Sequence, residues 1–319
     1  LYIVNFDFNL NNLFSNSNLI CKTRSIKVKI GSDVECFLRS SSDQIINASQ
    51  HIKHTKELPY IKEKIKIYYD NILAEFNIPP CTYGKEFVTN IANGLYLLQK
   101  IAAPYKLDFT AAVIVDDNIL NQKNARENGC NDEYNAYTLQ PNKDIKEFIN
   151  SSKFRTSGGH IHIGTEYKDD ILLDPLMKPL YVYMLDLFLG ITSVLIDKDI
   201  TQINRRQIFG KAGSYRSKSY GLEYRVLSSW WVSKPEYVAL IFNIVEFIYY
   251  EMQEKIWEKF WNINENNGVI SYNCFGYDVE MIKDTINNCN NVNAHKLIYF
   301  IYNFMPDELV KQINQISKI

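Results

Sequence analysis

Polar and apolar residues alternate in several short runs of this chain, and each such run predicts a β-strand. "SIKVKIGSDVECFLR" (25–39) is one, and "NILAEFNIPP" (71–80) is a second whose two prolines predict the strand end. "HIHIG" (160–164) and "GLEYRVLSSWW" (221–231) predict two more, and "TAAVIV" (110–115) a buried one. Elsewhere the apolar positions follow helical spacing. "GKEFVTNIANGLYLLQKIAA" (84–103) predicts a helix that stops before Pro104. Residues 174–197 predict a long apolar helix with Asp174 as N-cap before Pro175, and 234–261 a second long one. The stretch 276–319 predicts small helices. Between these elements, 118–154 is polar and irregular, which predicts a long loop or flap, and 204–220 predicts a basic loop. Residues 1–24 predict a peripheral lead-in, and 25–319 one domain. Strands and helices do not alternate as βαβ units, so the expected class is α+β, a sheet with helices packed behind it.

Several of these strands share a peculiarity. Side chains alternate faces along a strand. Asp33 and Glu35 therefore share one face while Val34 and Cys36 take the other. Glu75 and Asn77 share a face opposite Ala74 and Phe76. His160 and His162 share one, with Cα atoms ~7 Å apart from strand rise. Glu223 and Arg225 share one, opposite Leu222 and Tyr224. Clustered carboxylates repel unless cations sit among them. Oxygen ligands with an occasional imidazole suit Mg²⁺ or Mn²⁺. Arginines beside them suit phosphate or carboxylate, which the guanidinium fork grips with two bonds. Metal and arginine on one sheet face point to nucleoside triphosphate chemistry. "FGKAGS" lacks the Walker A spacing and no GxGxxG occurs, so ATP here would bind through the sheet.

Composition narrows the setting. At 319 residues the chain holds one large domain or two ordinary ones. A net charge of −1 gives no general attraction to nucleic acid or to an anionic membrane. The longest apolar stretch, 180–196, contains Asp186 and Gly190 and predicts a buried helix rather than a membrane span. Six scattered cysteines with no CxxC pair predict reduced thiols in a cytoplasmic setting, not a zinc ribbon. No secretory signal stands out in "LYIVNF", which has no basic n-region and does not begin with the initiator Met.

Taken in order, "GSDVECFL", "DNILAEFNIPP", "RTSGGHIHIG" and "RRQIFGKAGSYRSKSYGLEYRVLSSWW" resemble the carboxylate-amine ligases of the glutamine synthetase and γ-glutamylcysteine synthetase superfamily. The likeness is to the phage-type group called amidoligase type 2 above all, and runs from about residue 30 to 232. It implies a curved antiparallel active-site sheet of the glutamine synthetase catalytic type, with helices on its outer face. It also implies ATP, two or three divalent ions, and amide formation through an acyl phosphate. By position it implies Asp33, Glu35, Glu75 and Glu223 as metal ligands, joined by His160, with His162 on the substrate carboxylate or a phosphate. Arg216 and Arg225 would hold phosphate, with Arg206, Lys211 and Arg155 as further contacts to ATP. Related ligases often carry ExE where this chain has "DVE", so Asp33 is one methylene shorter. A base for the amine is expected in the flap, at Asp116 or Glu127. The implied partners are a small or peptide carboxylate and an amine, in a monomer or homodimer. Two alternatives stay open: a phosphotransferase of the same fold, and a Zn or Fe enzyme built on the HxH strand. A binding protein that keeps the fold without catalysis is disfavoured, because unneeded buried charges are costly.

Overall fold

The computed structural model describes residues 27–126, 133–142, 152–266, 269–274 and 278–318. The lead-in expected over 1–24 lies outside them, as does Glu127. The first half runs β1 (Lys29–Arg39), β2 (Ile45–Ile46), β3 (Tyr60–Lys62), β4 (Ile65–Asp70), β5 (Leu73–Cys81), α1 (Gly84–Ala102), β6 (Lys106–Asp108), β7 (Ala112–Ile114) and the one-turn α2 (Asp117–Leu120). There follow β8 (Tyr134–Asn135), β9 (Gln140–Pro141), β10 (Phe154–Thr156), β11 (Gly159–Gly164), α3 (Lys178–Ile196), α4 (Gln202–Ile208), β12 (Ser214–Lys218) and β13 (Gly221–Tyr224). The chain ends with α5 (Pro235–Gln253), β14 (Trp261–Asn266), β15 (Val269–Cys274), α6 (Val279–Asn287), α7 (Asn291–Tyr302) and α8 (Asp307–Ser317).

An open antiparallel sheet carries the molecule, in the order β3-β4-β5-β1-β11-β13-β12-β8-β9, with β2 and β6 paired to β1. Four strands far apart in sequence lie side by side at its centre: β5, β1, β11 and β13. Their alternation sets the two faces. Val34, Cys36, Ala74, Phe76, Ile161, Ile163, Leu222 and Tyr224 are all fully buried and form the core with α1, α3 and α5. Each large aliphatic side chain so buried contributes roughly 1.5–3 kcal/mol, which fixes the register: a slip by one residue would send the charged set into the core. The expected α+β arrangement, an antiparallel sheet backed by helices, is what forms.

Several boundaries differ from expectation, each for a local reason. β5 continues through Pro79 and Pro80 to Cys81, because they fall where the pairing with β1 shifts between Ile30 and Ser32, and a bulge needs no ladder hydrogen bond from proline. The long apolar helix begins at Lys178 with Pro179 in its first turn, after Asp174 has closed an earlier turn by accepting from Leu176 N at 2.9 Å. That helix is long and apolar enough to span a membrane, yet it is wholly packed inside the fold. The second long helix stops at Gln253, where Lys255 takes a left-handed conformation (φ 57°). The basic loop expected over 204–220 is instead α4 followed by β12. β13 stops at Tyr224, and Ser229–Ser233 form a 3₁₀ turn rather than more strand. "TAAVIV" shortens to β7, which pairs with β10 outside the main sheet and leaves Ile114 exposed.

Candidate functional site

The polar face of the central strands gathers charged groups through register alone. Asp33 lies opposite both His160 on β11 and Asn77 on β5, and Glu35 lies opposite Glu75. His162 faces Glu223, and Glu223 faces Arg216 on β12. Two donor clusters result. In one, Asp33, His162 and Glu223 offer ligand atoms within 4.8 Å of one another; in the other, Glu35, Asp70 and Glu75 do.

The clusters differ in electrostatics. Glu223 accepts from Lys218 Nζ at 2.8 Å, lies 3.5 Å from Arg216 Nη1, and is in close contact with Arg225 Nη1. Burial alone would raise its pKa, but Arg225 and then His160 hold it at about 2. Asp33 is likewise pushed up by burial yet held at about 2 by His162 beside it. In the second cluster burial and like charge outweigh the pull of nearby arginines. Burial, then the charge of Asp70, raises Glu35 to about 7. Burial, then Asp33, Glu35 and Asp70, pushes Glu75 well above the ordinary carboxylate range, and burial raises Asp70 too. Tyr68 donates to Glu75 Oε1 at 2.5 Å, and Gly158 N to Glu35 Oε2 at 2.6 Å. A concentration of like charge this strong favours either protonation or a bound cation. The donor set, carboxylate oxygens with one imidazole, fits a hard divalent ion such as Mg²⁺ or Mn²⁺.

The two histidines part ways. His162 Nε2 is buried in close contact with Asp33 Oδ1, and its Nδ1 lies 2.5 Å from the Tyr220 hydroxyl. His160 Nδ1 lies 3.2 Å from Arg225 Nη1 and 3.7 Å from Glu223. Burial, then Arg225, drives its pKa well below the ordinary imidazole value. His160 is expected from sequence to join the carboxylates; in the structure the three-residue donor cluster takes His162, while His160 lies between Arg225 and Glu223.

Beside the clusters opens a cleft of about 700 Å³, solvent included, lined by Glu35, Asp70, Glu133, Arg155, Arg225 and Phe209 among others. Glu133, on the flap, accepts from Arg225 Nε at 2.9 Å. Arg155 is buried on its wall, with Nη1 donating to Phe154 O at 2.7 Å. Arg206 and Lys211 are not brought here. Arg206 is buried elsewhere, 3.5 Å from Gly210 O and bearing on Asp186 and Asp197, and Lys211 is exposed on the loop before β12. Its neighbour Arg205 lines the cleft instead. Arg205 is fully buried and clasps the carbonyls of Ser157, Val226 and Leu227 at 2.7–2.9 Å, tying the glycine turn before β11 to the end of β13. Asp116 is exposed and does not line the cleft.

Residues 135–271 match the family model described as phage phiEco32-like COOH.NH2 ligase-type 2. The matched segment is thus similar to that ligase family. The matched segment takes in β11, β12 and β13, and so His160, His162, Arg216, Glu223 and Arg225; β1 and β5, with their carboxylates, precede it. Three solved structures are similar. Ligand-free GmaS is 11% identical at a TM-score of 0.45, over 92% of this chain and 66% of that one. A novel glutamine synthase homolog is 10% identical at 0.43, over 97% and 74%. A bifunctional glutathione synthetase from Pasteurella multocida is 11% identical at 0.39, over 92% and 51%. The chain thus spans just under two thirds of the first of these. No curated protein matches it.

Four residues of the face were not singled out from sequence. Asp70 ends the alternation of "KIYYD", where Lys66, Tyr68 and Asp70 share a face. Lys218, within the stretch read as a basic loop, stands two after Arg216 and so on the same side of β12. In both cases period two was the available signal. Glu133 and Tyr220 come from loops and carried none.

Proposed function

We propose that the protein is an ATP-dependent carboxylate-amine ligase working through an acyl phosphate. The observation that carries this reading is the juxtaposition, on one sheet face, of two oxygen-rich donor clusters with Arg216, Arg225 and Lys218. The ligase family match is consistent with it.

Asp33, His162 and Glu223 would hold one divalent cation and Glu35, Asp70 and Glu75 another, Mg²⁺ or Mn²⁺ in each case. When bound, such ions neutralise triphosphate charge. A carboxylate is a poor acyl donor because its leaving group would be oxide. In the proposed reaction a substrate carboxylate oxygen attacks the γ-phosphorus of ATP and ADP leaves. The amine nitrogen then attacks the acyl carbon, phosphate leaves, and the nitrogen gives up a proton.

The chain's own groups serve these steps. Arg225 and Arg216 are the fixed cations for phosphoryl charge, in a desolvated setting where preorganised charge acts most strongly. His160, beside Arg225, together with Glu223 and Glu133 holds that guanidinium in place on the face. The cleft, with Arg155 on its wall and Leu73, Ile208 and Phe209 nearby, suits a small or peptide carboxylate with an apolar part. Glu133 is the flap carboxylate placed on that cleft to receive the amine proton. The test is ATP turnover with Mg²⁺ and pooled carboxylates and amines. ADP release is expected to require both pools and to fall at least about 100-fold in Glu223→Gln and His162→Ala. ADP release that needs no amine and makes no amide would move the reading to a phosphotransferase.

A further inference from the structure

We infer that Tyr220 is the positioning residue of His162, holding its imidazole in the tautomer whose Nε2 can coordinate a cation between Asp33 and Glu223. This rests on the metal-site reading above. An imidazole that binds a metal through one nitrogen carries its proton on the other, and that N–H needs an acceptor to fix ring orientation. For His162 the nitrogen against Asp33 is Nε2, which is buried, and Glu223 stands in the same donor cluster. The other, Nδ1, lies 2.5 Å from the Tyr220 hydroxyl oxygen, which can accept from it.

Tyr220 is itself held in place. It belongs to the tight turn between β12 and β13, and that turn is pinned from two sides. Thr165 N donates to Tyr220 O at 3.0 Å. Lys178 Nζ, buried at the start of α3, donates to Ser217 Oγ and to Lys218 O, both at 2.8 Å. The ring lies over Gly164, where an added Cβ would sit 3.1 Å from both Tyr220 Cδ2 and Tyr220 O. The bare glycine that ends "HIHIG" is therefore the seat of the tyrosine that orients the second histidine of the same motif.

The test is titration of the full chain with Mn²⁺ by calorimetry, native against Tyr220→Phe, with thermal melting of both in the absence of metal. One of two Mn²⁺ equivalents is expected to weaken by about 10–100-fold in the variant. The other equivalent and the metal-free melting temperature are expected to hold. An unchanged isotherm overturns the inference and leaves the metal sites standing, and so does an equal weakening of both equivalents. Native protein that takes up no Mn²⁺ overturns the inference together with the metal reading.

Discussion

A methyl group on Gly158 would run into His160 Nε2, while the Gly158 amide must also reach Glu35. One backbone position thus serves both halves of the face. Gly158→Ala is expected to displace the His160 ring, and with it Arg225, cutting turnover by about 100-fold. Overpacking at this site should cost only ~1–3 kcal/mol of stability. Steady-state kinetics beside a denaturant melt checks both; unchanged turnover would mean that the His160 position does not matter. At this scale the sequence was readable wherever residue type and period two acted together. Asp33, Glu35, Glu75, His160, His162, Glu223 and Arg225 could all be placed on the polar faces of their strands, whereas Arg216 came only from the resemblance. It was not readable where the outcome hung on rotamers: which histidine meets the carboxylates depends on Tyr220 and Arg225, which arrive from other segments. Arg205 and Arg206 stand side by side in sequence, and only the direction of α4 decides which one reaches the cleft.

Strands were more legible than helices at the scale of elements, because a strand with one buried face leaves a strict alternation. The helices blurred at their ends, where turn chemistry at Asp174 and the left-handed Lys255 outweighed continuing apolar pattern. α5 carries one exception to its apolar face. Glu246 is buried there, and burial raises its pKa to about 7. The sign follows from linkage: the fold prefers the protonated acid, so the stability contributed by this group is full below the unfolded value of 4.5 and lost as pH rises through about 7. Glu246→Gln keeps the volume and cannot ionise. It is expected to be more stable than the native chain at pH 8, by up to ~3 kcal/mol, with the gap closing as pH falls to 4. Chemical denaturation at both pH values measures it; a gap independent of pH would contradict the assignment.

At the scale of the molecule, the site exists because β5, β1, β11 and β13 lie side by side although β1 and β13 are separated by most of the chain. Nothing local dictates that neighbourhood. The resemblance in motif order supplied it in advance, and the apolar faces of the four strands explain why it holds. The two donor clusters then follow from register, one rich in surrounding cations and one poor. In the proposed reading both clusters take a divalent ion, and the cation-rich side also meets phosphoryl charge. The measurement to make is the fate of oxygen. The protein is incubated with ATP, Mg²⁺, amines and a pool of amino acids and peptides labelled with ¹⁸O in their carboxylates. Carboxylate activation transfers one labelled oxygen to the released phosphate, and ¹⁸O-phosphate is the expected product. Phosphate whose new oxygen comes only from water would mean that ATP is hydrolysed without carboxylate activation, and would contradict the ligase chemistry proposed for this face.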